Sequence, residues 1–260
     1  MREKITSLRT EISWRSATAA SALIQSLLFA LVAASANIIG GLMVTQNNWA
    51  RRSLRYFIAV GSGFMLGTVF LEMIPESVEK VAEWWHVLLI SGYLIVHFFE
   101  HTFAAHLHFG EETHHDEMSL TLGVSAFIGM LVHTFFDGVA IGAGFSLSRE
   151  LGFLVFLAMF LHKIPDGFTI ASIVRSAGRT SGQALAASTL LGISTLIGVV
   201  SFYAAGAPSS ALPLAAGCTL YVAATDLMPE VNREHGVKMA LLVFAGMGLF
   251  LLVRAIAPAG

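Results

Sequence analysis

Long apolar runs separated by short polar segments dominate this sequence. A helix needs about 20 apolar residues to cross the hydrocarbon core of a bilayer, and eight runs approach or exceed that length. They are Ala17–Val44, Leu54–Met73, Trp84–Phe109, Leu120–Leu147, Leu151–Val174, Gln183–Ala205, Ala211–Met228 and Val237–Ala257. Because a helix satisfies its own backbone hydrogen bonds, it can span lipid. The sequence therefore predicts an all-α integral membrane protein with eight transmembrane helices.

The composition agrees with this fold class. Of the 260 residues, 55% are hydrophobic and 12% are charged, whereas soluble domains average about 25% charged residues. Apart from a polar N-terminal tail at 1–16 and a histidine-bearing loop at 110–119, we find no region that resembles a second domain. Residues 1–260 are therefore expected to form a single transmembrane domain, embedded in the lipid bilayer. The net charge of −2 gives no indication of a nucleic-acid partner.

Two of the apolar runs contain the same ionisable motif. A histidine precedes an aspartate by four residues, and a glycine follows, at His133 and Asp137 and again at His162 and Asp166. Four residues make about one helical turn, so the imidazole and the carboxylate share a face. Ionisable groups at bilayer depth are costly and usually functional. Imidazole and carboxylate suit Zn²⁺ and similar ions, so the four are candidate metal ligands; structural His–Asp hydrogen bonds are the alternative.

Further ionisable residues lie near the ends of three other runs. His97, Glu100 and His101 fall on one side of the third run, where they form either a polar path for a metal ion or a solvated helix end. Glu72 and Asp226 lie near the ends of the second and seventh runs. They are predicted to attract cations to the mouths of a pathway, or they are solvated helix ends.

An internal repeat is also visible. Segments 72–76 and 226–230 both read acid-x-x-Pro-Glu, about 150 residues apart. Together with the doubled His-x-x-x-Asp-Gly motif, this indicates two halves related across a central pair of helices. Inverted repeats with a site between them are typical of transporters.

At the paired motifs the chain resembles the ZIP (Zrt-, Irt-like protein) family of divalent metal transporters. The resemblance rests on His133-Thr-Phe-Phe-Asp137-Gly and His162-Lys-Ile-Pro-Asp166-Gly. It implies an eight-helix bundle with a 3+2+3 inverted repeat, metal uptake toward the cytosol, a homodimer, and elevator-like movement of spans one, four, five and six. The same four residues correspond to the family's metal ligands, with Met65 near the site. The short loops favour a plasma-membrane location.

The chain departs from the family pattern at three positions. Thr134 stands where members often have asparagine, and Asp166 where they often have glutamate. Some members hold a second metal ion beside the first. Here Lys163 follows His162, and its ammonium group is predicted to take the space and charge of that second ion. We therefore expect one ion per subunit, with Zn²⁺ favoured and Fe²⁺, Mn²⁺ and Cd²⁺ as alternatives, and no further cofactor.

Two other functions are compatible with the same side chains. An intramembrane metal hydrolase would use the four ligands with Glu100 as general base, although the sequence lacks the His-Glu-x-x-His helix of one common class. A haem-binding redox protein would draw its axial ligands from a set of four histidines: His97, His101, His133 and His162. Cleavage without ion flux would indicate the first function and a Soret band the second. A secondary transporter, not an enzyme, is the favoured prediction.

Overall fold

The computed structural model describes residues 2–44, 49–103, 120–233 and 236–256, and these parts contain helices and turns without a strand. The α-helices are α1 (Arg2–Met43), α2 (Trp49–Thr68), α3 (Ile74–Lys80), α4 (Trp85–Phe103), α5 (Leu120–Leu147), α6 (Arg149–Ser176), α7 (Ser181–Ala204), α8 (Ala211–Tyr221), α9 (Met228–Arg233) and α10 (Val237–Ile256). The all-α prediction is confirmed.

Seven helical units in the described chain are long and apolar enough to cross a membrane. Two of them are composite, because α2 continues into α3 and α8 continues into α9. The third predicted span contains a shorter apolar stretch, Trp85–Glu100, within α4, and 104–109 lie outside the described residues. Seven long helices and one shorter one agree with the eight predicted spans. Helix α1 begins at Arg2, so it also includes most of the predicted tail at 1–16.

Short π-helical segments join the two halves of each composite span. They cover Val69–Met73 between α2 and α3, and Val222–Leu227 between α8 and α9. Each carries the first acid of the repeated motif, Glu72 or Asp226, three residues before a proline. Proline removes a backbone N–H from the helical ladder, and a π-helical turn is one way for the chain to accommodate the change. The sequence repeat is therefore matched by a repeated distortion of the backbone.

Mutual glycine contacts reveal how the halves are related. Gly63 of α2 and Gly246 of α10 each lie against the other helix's backbone, as do Gly217 of α8 and Gly92 of α4. A Cβ atom at any of the four would lie within 2.1 Å of a carbonyl oxygen of the neighbouring helix. Positions 63 and 217, 92 and 246, and 72 and 226 are all separated by 154 residues. Helix α8 is thus the structural equivalent of α2, and α10 that of α4.

The same relation holds for the helices at the centre of the bundle. Gly40 of α1 packs against Gly167 and its neighbours in α6, and Gly198 of α7 packs against Gly138 and its neighbours in α5. Gly138 and Gly167 directly follow the two motif aspartates. Helices α1 and α7 are therefore equivalent, as are α5 and α6. Four spans lie between the members of each equivalent pair in the outer halves, so the equivalents run in opposite directions, as a 3+2+3 inverted repeat requires.

Helices α1, α5, α6 and α7 form a group in which each contacts the other three. We call this the central group. Around it, α2 packs along α10 and α4 packs along α8. The backbone-to-backbone glycine contacts lie within the central group and within these outer pairs. Both histidine motifs lie in α5 and α6, so the fold places them together inside the central group.

Candidate metal centre

Four buried side chains from α5 and α6 converge between the two helices. They are His133, Asp137, His162 and Asp166, each at most 2% exposed, and one ligand atom from each lies within 4.8 Å of the other three. The contacts cross between the motifs. His133 Nε2 lies 3.3 Å from Asp166 Oδ2, and His162 Nε2 lies 3.3 Å from Asp137 Oδ2. The tertiary structure thus brings together the two motifs that the sequence singled out.

The second nitrogen of each imidazole has a distinct neighbour. His162 Nδ1 donates to the Ala158 carbonyl oxygen at 2.9 Å, which leaves Nε2 as the acceptor facing the aspartates. His133 Nδ1 lies 3.5 Å from Glu100 Oε1 of α4. Metal-binding histidines usually have their other nitrogen held by a carbonyl or a carboxylate, because this orients the ring. His162 therefore has the orienting bond of a typical metal ligand, whereas His133 Nδ1 makes no hydrogen bond in the described part of the chain and has the Glu100 carboxylate only within ion-pair distance.

Lys163 contributes a buried positive charge beside these four residues. Its side chain is fully buried, and Nζ donates to Asp137 Oδ2 at 2.5 Å. The sequence predicted an ammonium group close to the site but did not identify its partner. Because an unpaired ammonium is very costly in an apolar interior, the ion pair with Asp137 explains how Lys163 can be buried.

The other predicted site residues differ in how they relate to this cluster. Met65 is fully buried in the main apolar core on α2, a helix that packs against α6. The His97 ring lies 5.9 Å from the Tyr221 ring, between centroids. The side chain of His101 lies outside the described residues, as does the loop at 110–119. Roles for these residues stay predictions.

The two acids of the repeated motif have contrasting surroundings. Glu72 forms an ion pair with Arg254 of α10. The position equivalent to Arg254 in the other half, 154 residues earlier, is Glu100, and Asp226 lies close enough to Glu100 for their charges to interact. One end of the bundle therefore pairs its acid with an arginine, whereas at the other end the equivalent position holds a second acid, Glu100, which lies 3.5 Å from His133.

Two residues with a bearing on the site were missed by sequence reasoning. In the sequence Arg254 is one charged residue within the last predicted span, whereas in the structure it pairs with Glu72. Asn37 is fully buried in α1, and its carboxamide has no hydrogen-bond partner in the described part of the chain. Its backbone oxygen would be 1.9 Å from a Cβ atom at Gly167, next to Asp166. An amide within an apolar run was the signal that could have identified Asn37.

The fold and the site together define a class: a multi-pass helical membrane protein with a buried histidine–aspartate cluster at the centre of an inverted repeat. The sequence profile described as "ZIP Zinc transporter" matches residues 110–254, which is more than half of the chain. The chain belongs to the ZIP family. This is a family of transporters rather than enzymes, so the hydrolase and haem alternatives lose their support.

Individual relatives agree with this assignment. Zinc transporter SLC39A7 of Homo sapiens is 32% identical over 155 residues, which cover 53% of this chain and 33% of the relative. Zinc transporter YKE4 of Saccharomyces cerevisiae is 22% identical over 243 residues, covering 80% and 69%. Zinc transporter ZIP10 of Homo sapiens is 33% identical over 132 residues, covering 46% and 15%. The match thus spans about a third of SLC39A7 and a smaller part of ZIP10.

Proposed function

We propose that this chain carries a divalent transition-metal ion, Zn²⁺ by preference, across the plasma membrane toward the cytosol. The ion binds between α5 and α6, held by His133, Asp137, His162 and Asp166. The observation that carries this proposal is the convergence of two imidazole nitrogens and two carboxylate oxygens within 4.8 Å in a buried setting. Imidazole and carboxylate in this combination are suited to Zn²⁺ and other first-row ions.

The spacing of the ligand atoms supports this metal class. Ligands at about 2.0–2.2 Å from a tetrahedral Zn²⁺ ion lie roughly 3.4 Å from one another. Both cross-motif histidine–aspartate contacts are 3.3 Å long, and His162 Nε2 lies 3.7 Å from Asp166 Oδ2. Small side-chain rotations would therefore be enough to bring all four atoms to bonding distance of one ion.

The charges around the cluster support binding of one divalent ion. With neutral imidazoles, the charged groups in direct contact within the cluster sum to a formal charge of −2: the carboxylates of Asp137, Asp166 and Glu100 and the ammonium of Lys163. Asp226 makes none of these contacts and is not counted. One divalent cation makes this set neutral, whereas a second would leave an excess of two positive charges in a low-dielectric interior. We therefore propose one metal ion per subunit, with Lys163 in place of a second.

A pathway on the Glu100 side of the cluster follows from the same charges. We propose that the ion passes between the cluster and the membrane surface along Glu100 and Asp226, with His97 and His101 on the same helix as Glu100. The alternative mouth, at Glu72, is neutralised by Arg254. Met65 remains a proposed weak ligand on the α2 side. Glu100 is the pathway residue with the strongest support, because it lies 3.5 Å from His133.

The packing of the bundle suggests how the site changes its access. The backbone-to-backbone glycine contacts hold helices within the central group or within the outer pairs. At the boundary between α2 and α6, a Cβ atom placed on Gly61 would lie 3.5 Å from Leu161 Cβ, which is an ordinary van der Waals distance. We propose that the central group moves as a unit against the outer pairs, in a protein that works as a homodimer with 1–260 as one transporter domain.

A transport assay with purified protein in proteoliposomes tests this function. We expect saturable ⁶⁵Zn²⁺ uptake that a tenfold excess of Cd²⁺ inhibits and that the same excess of Mg²⁺ leaves unchanged, because imidazole ligands favour the softer ions. Inhibition of this uptake by unlabelled Fe²⁺ and by unlabelled Mn²⁺ ranks these two ions as alternative substrates. Uptake no greater than in protein-free liposomes, or equal inhibition by Mg²⁺, would contradict the proposal.

Replacing Lys163 with glutamate tests the proposed number of ions. The Lys163→Glu variant removes a positive charge beside Asp137 and adds a carboxylate, so we expect two bound ions per chain where the unmodified protein holds one. Inductively coupled plasma mass spectrometry on protein dialysed against Zn²⁺ measures the number of zinc ions bound per chain. Lys80→Glu, at an exposed position on α3, is the matched control and should keep one ion. Two ions per chain in the unmodified protein would refute the assignment.

A further inference from the structure

A buried asparagine in α1 lacks a hydrogen-bond partner in the described part of the chain. The Asn37 side chain is fully buried, and neither its carboxamide oxygen nor its carboxamide nitrogen makes a hydrogen bond there. An unpaired amide in an apolar interior is costly, and buried polar groups in proteins nearly always have partners. Asn37 is therefore expected to gain a partner when the protein binds its ligand.

Asn37 lies beside the second histidine–aspartate motif. A Cβ atom at Gly167 would be 1.9 Å from the Asn37 carbonyl oxygen and 2.8 Å from the Asn37 α-carbon. Gly167 directly follows Asp166. Gly40, about one turn later in α1, packs against the Ile164 carbonyl oxygen. Helix α1 therefore crosses α6 at the motif itself, and the Asn37 side chain starts from backbone that touches the residue next to a proposed metal ligand.

The two motif aspartates differ in the donors that they receive. Asp137 Oδ2 accepts a hydrogen bond from the Lys163 ammonium group and also faces His162. The polar contacts of Asp166 in the described chain are with the two motif histidines, through Oδ2. Asp137 thus has a donor that lies outside the proposed ligand set, whereas Asp166 has none among the described residues.

The repeat identifies where a second donor would be expected. Corresponding motif positions in α5 and α6 are separated by 29 residues, so the counterpart of Lys163 is Thr134. By the same relation, a donor at position 134 would face Asp166. The Thr134 hydroxyl instead donates to the Leu131 carbonyl oxygen of its own helix at 3.1 Å. Asp166 is therefore left without a counterpart to the lysine.

Helix α7 shows that a polar side chain at such a crossing can be paired. Thr195 is the counterpart of Asn37 in the repeat, and its carbonyl oxygen would be 1.9 Å from a Cβ atom at Gly138, the glycine of the first motif. The Thr195 hydroxyl donates to the Leu191 carbonyl oxygen at 3.3 Å. Helix packing at this position is therefore compatible with a paired side chain and does not by itself explain the unpaired amide of Asn37.

Binding of a metal ion changes what the Asp166 carboxylate requires. The 3.3 Å contact between His133 Nε2 and Asp166 Oδ2 is a hydrogen bond only when the nitrogen carries a proton. A nitrogen that binds a metal ion carries no proton, so Asp166 loses this donor when the ion is bound. Carboxylates that bind metal ions accept hydrogen bonds from neighbouring groups, which orient them. A carboxamide N–H group can supply such a bond without adding charge.

We propose that Asn37 is a positioning residue of the transport site, whose carboxamide nitrogen donates to the Asp166 carboxylate when the ion is bound. This role rests on the proposed function, since it concerns the site with its ion. Asn37 then does for Asp166 what Lys163 does for Asp137. Because the carboxamide is neutral, the charge balance with one divalent ion is unchanged.

Replacing Asn37 with leucine, which has a similar size and shape but no polar side-chain atoms, tests this role. We expect Zn²⁺ affinity, measured by isothermal titration calorimetry on the full chain in detergent, to fall roughly 10- to 100-fold, as is typical when a partner of a metal ligand is lost. The unfolding midpoint of the metal-free variant should be equal or higher, because an unpaired amide has left an apolar interior. A purely structural amide would give the opposite result, a lower midpoint with unchanged affinity.

Two further variants make the result specific. Thr195→Val is the matched control at the equivalent crossing and should change Zn²⁺ affinity less than twofold. Asn37→Ala should lower the affinity as Asn37→Leu does, which separates loss of the amide from a steric effect of leucine. Equal affinity in the unmodified protein and both Asn37 variants would overturn the role of Asn37 and leave the proposed function intact. Absence of Zn²⁺ binding by the unmodified protein would contradict both.

Discussion

Uptake of ⁶⁵Zn²⁺ should fall roughly 100-fold or more when His162 is replaced by alanine. Loss of a residue that only orients a ligand typically costs 10- to 100-fold in metal affinity or activity, and removal of a ligand should cost at least as much. His162 is fully buried, and the Ala158 carbonyl already occupies its Nδ1, so Nε2 is the atom that faces Asp137 and Asp166.

The matched control for this variant is His86→Ala. His86 lies on the first turn of α4, is exposed, and is outside the cluster. Its replacement should leave uptake within about twofold of the unmodified protein. Size-exclusion profiles of both variants establish that they are folded. Retained uptake in a folded His162→Ala protein would show that the ion is bound elsewhere.

Replacing Gly167 with alanine should lower the stability of the bundle by about 3 kcal/mol, at the upper end of the range for overpacked cores. A Cβ atom there would lie 1.9 Å from the Asn37 carbonyl oxygen and 2.6 Å from the carbonyl carbon. These are backbone atoms of α1, so a side-chain rotation cannot relieve the overlap, and α1 must move away from α6. Thermal unfolding followed by size-exclusion chromatography measures the effect, and we expect a midpoint lowered by roughly 5–10 °C.

Gly248→Ala provides the comparison for this effect. Gly248 lies in α10, and a Cβ atom there would meet nothing within 4 Å. Because alanine is a better helix former than glycine, this control should be neutral or slightly stabilising. An unfolding midpoint for Gly167→Ala equal to that of Gly248→Ala would show that α1 and α6 do not pack as closely as the structure indicates.

Much of the site could be predicted because its signals are local. The four-residue spacing within each motif is close to one helical turn, so His162 and Asp166 must share a face of any helix that contains them. The cost of ionisable groups in lipid then marked both motifs as functional. Lys163 was also identified from its place in the motif, although its ion pair with Asp137 depends on the contact between two helices.

Other features could not be predicted because they depend on which helices meet. Glu100 precedes His133 by a long segment of chain, and only the packing of α4 against α5 places its carboxylate 3.5 Å from the imidazole. Glu72 and Asp226 are equivalent in the repeat, and the sequence predicts the same role for both. Their difference arises from the opposing helix, which supplies Arg254 in one half and Glu100 in the other.

The sequence by itself determined that this is a helical membrane protein with two histidine–aspartate faces, because hydrophobic length and helical periodicity are properties of neighbouring residues. The tertiary structure decided that these faces meet, that each histidine lies against the aspartate of the other motif, and that the repeated acid Glu72 is paired with Arg254 at one end of the bundle. Such contacts join residues that are distant along the chain, and close packing at glycines selects which helices approach one another.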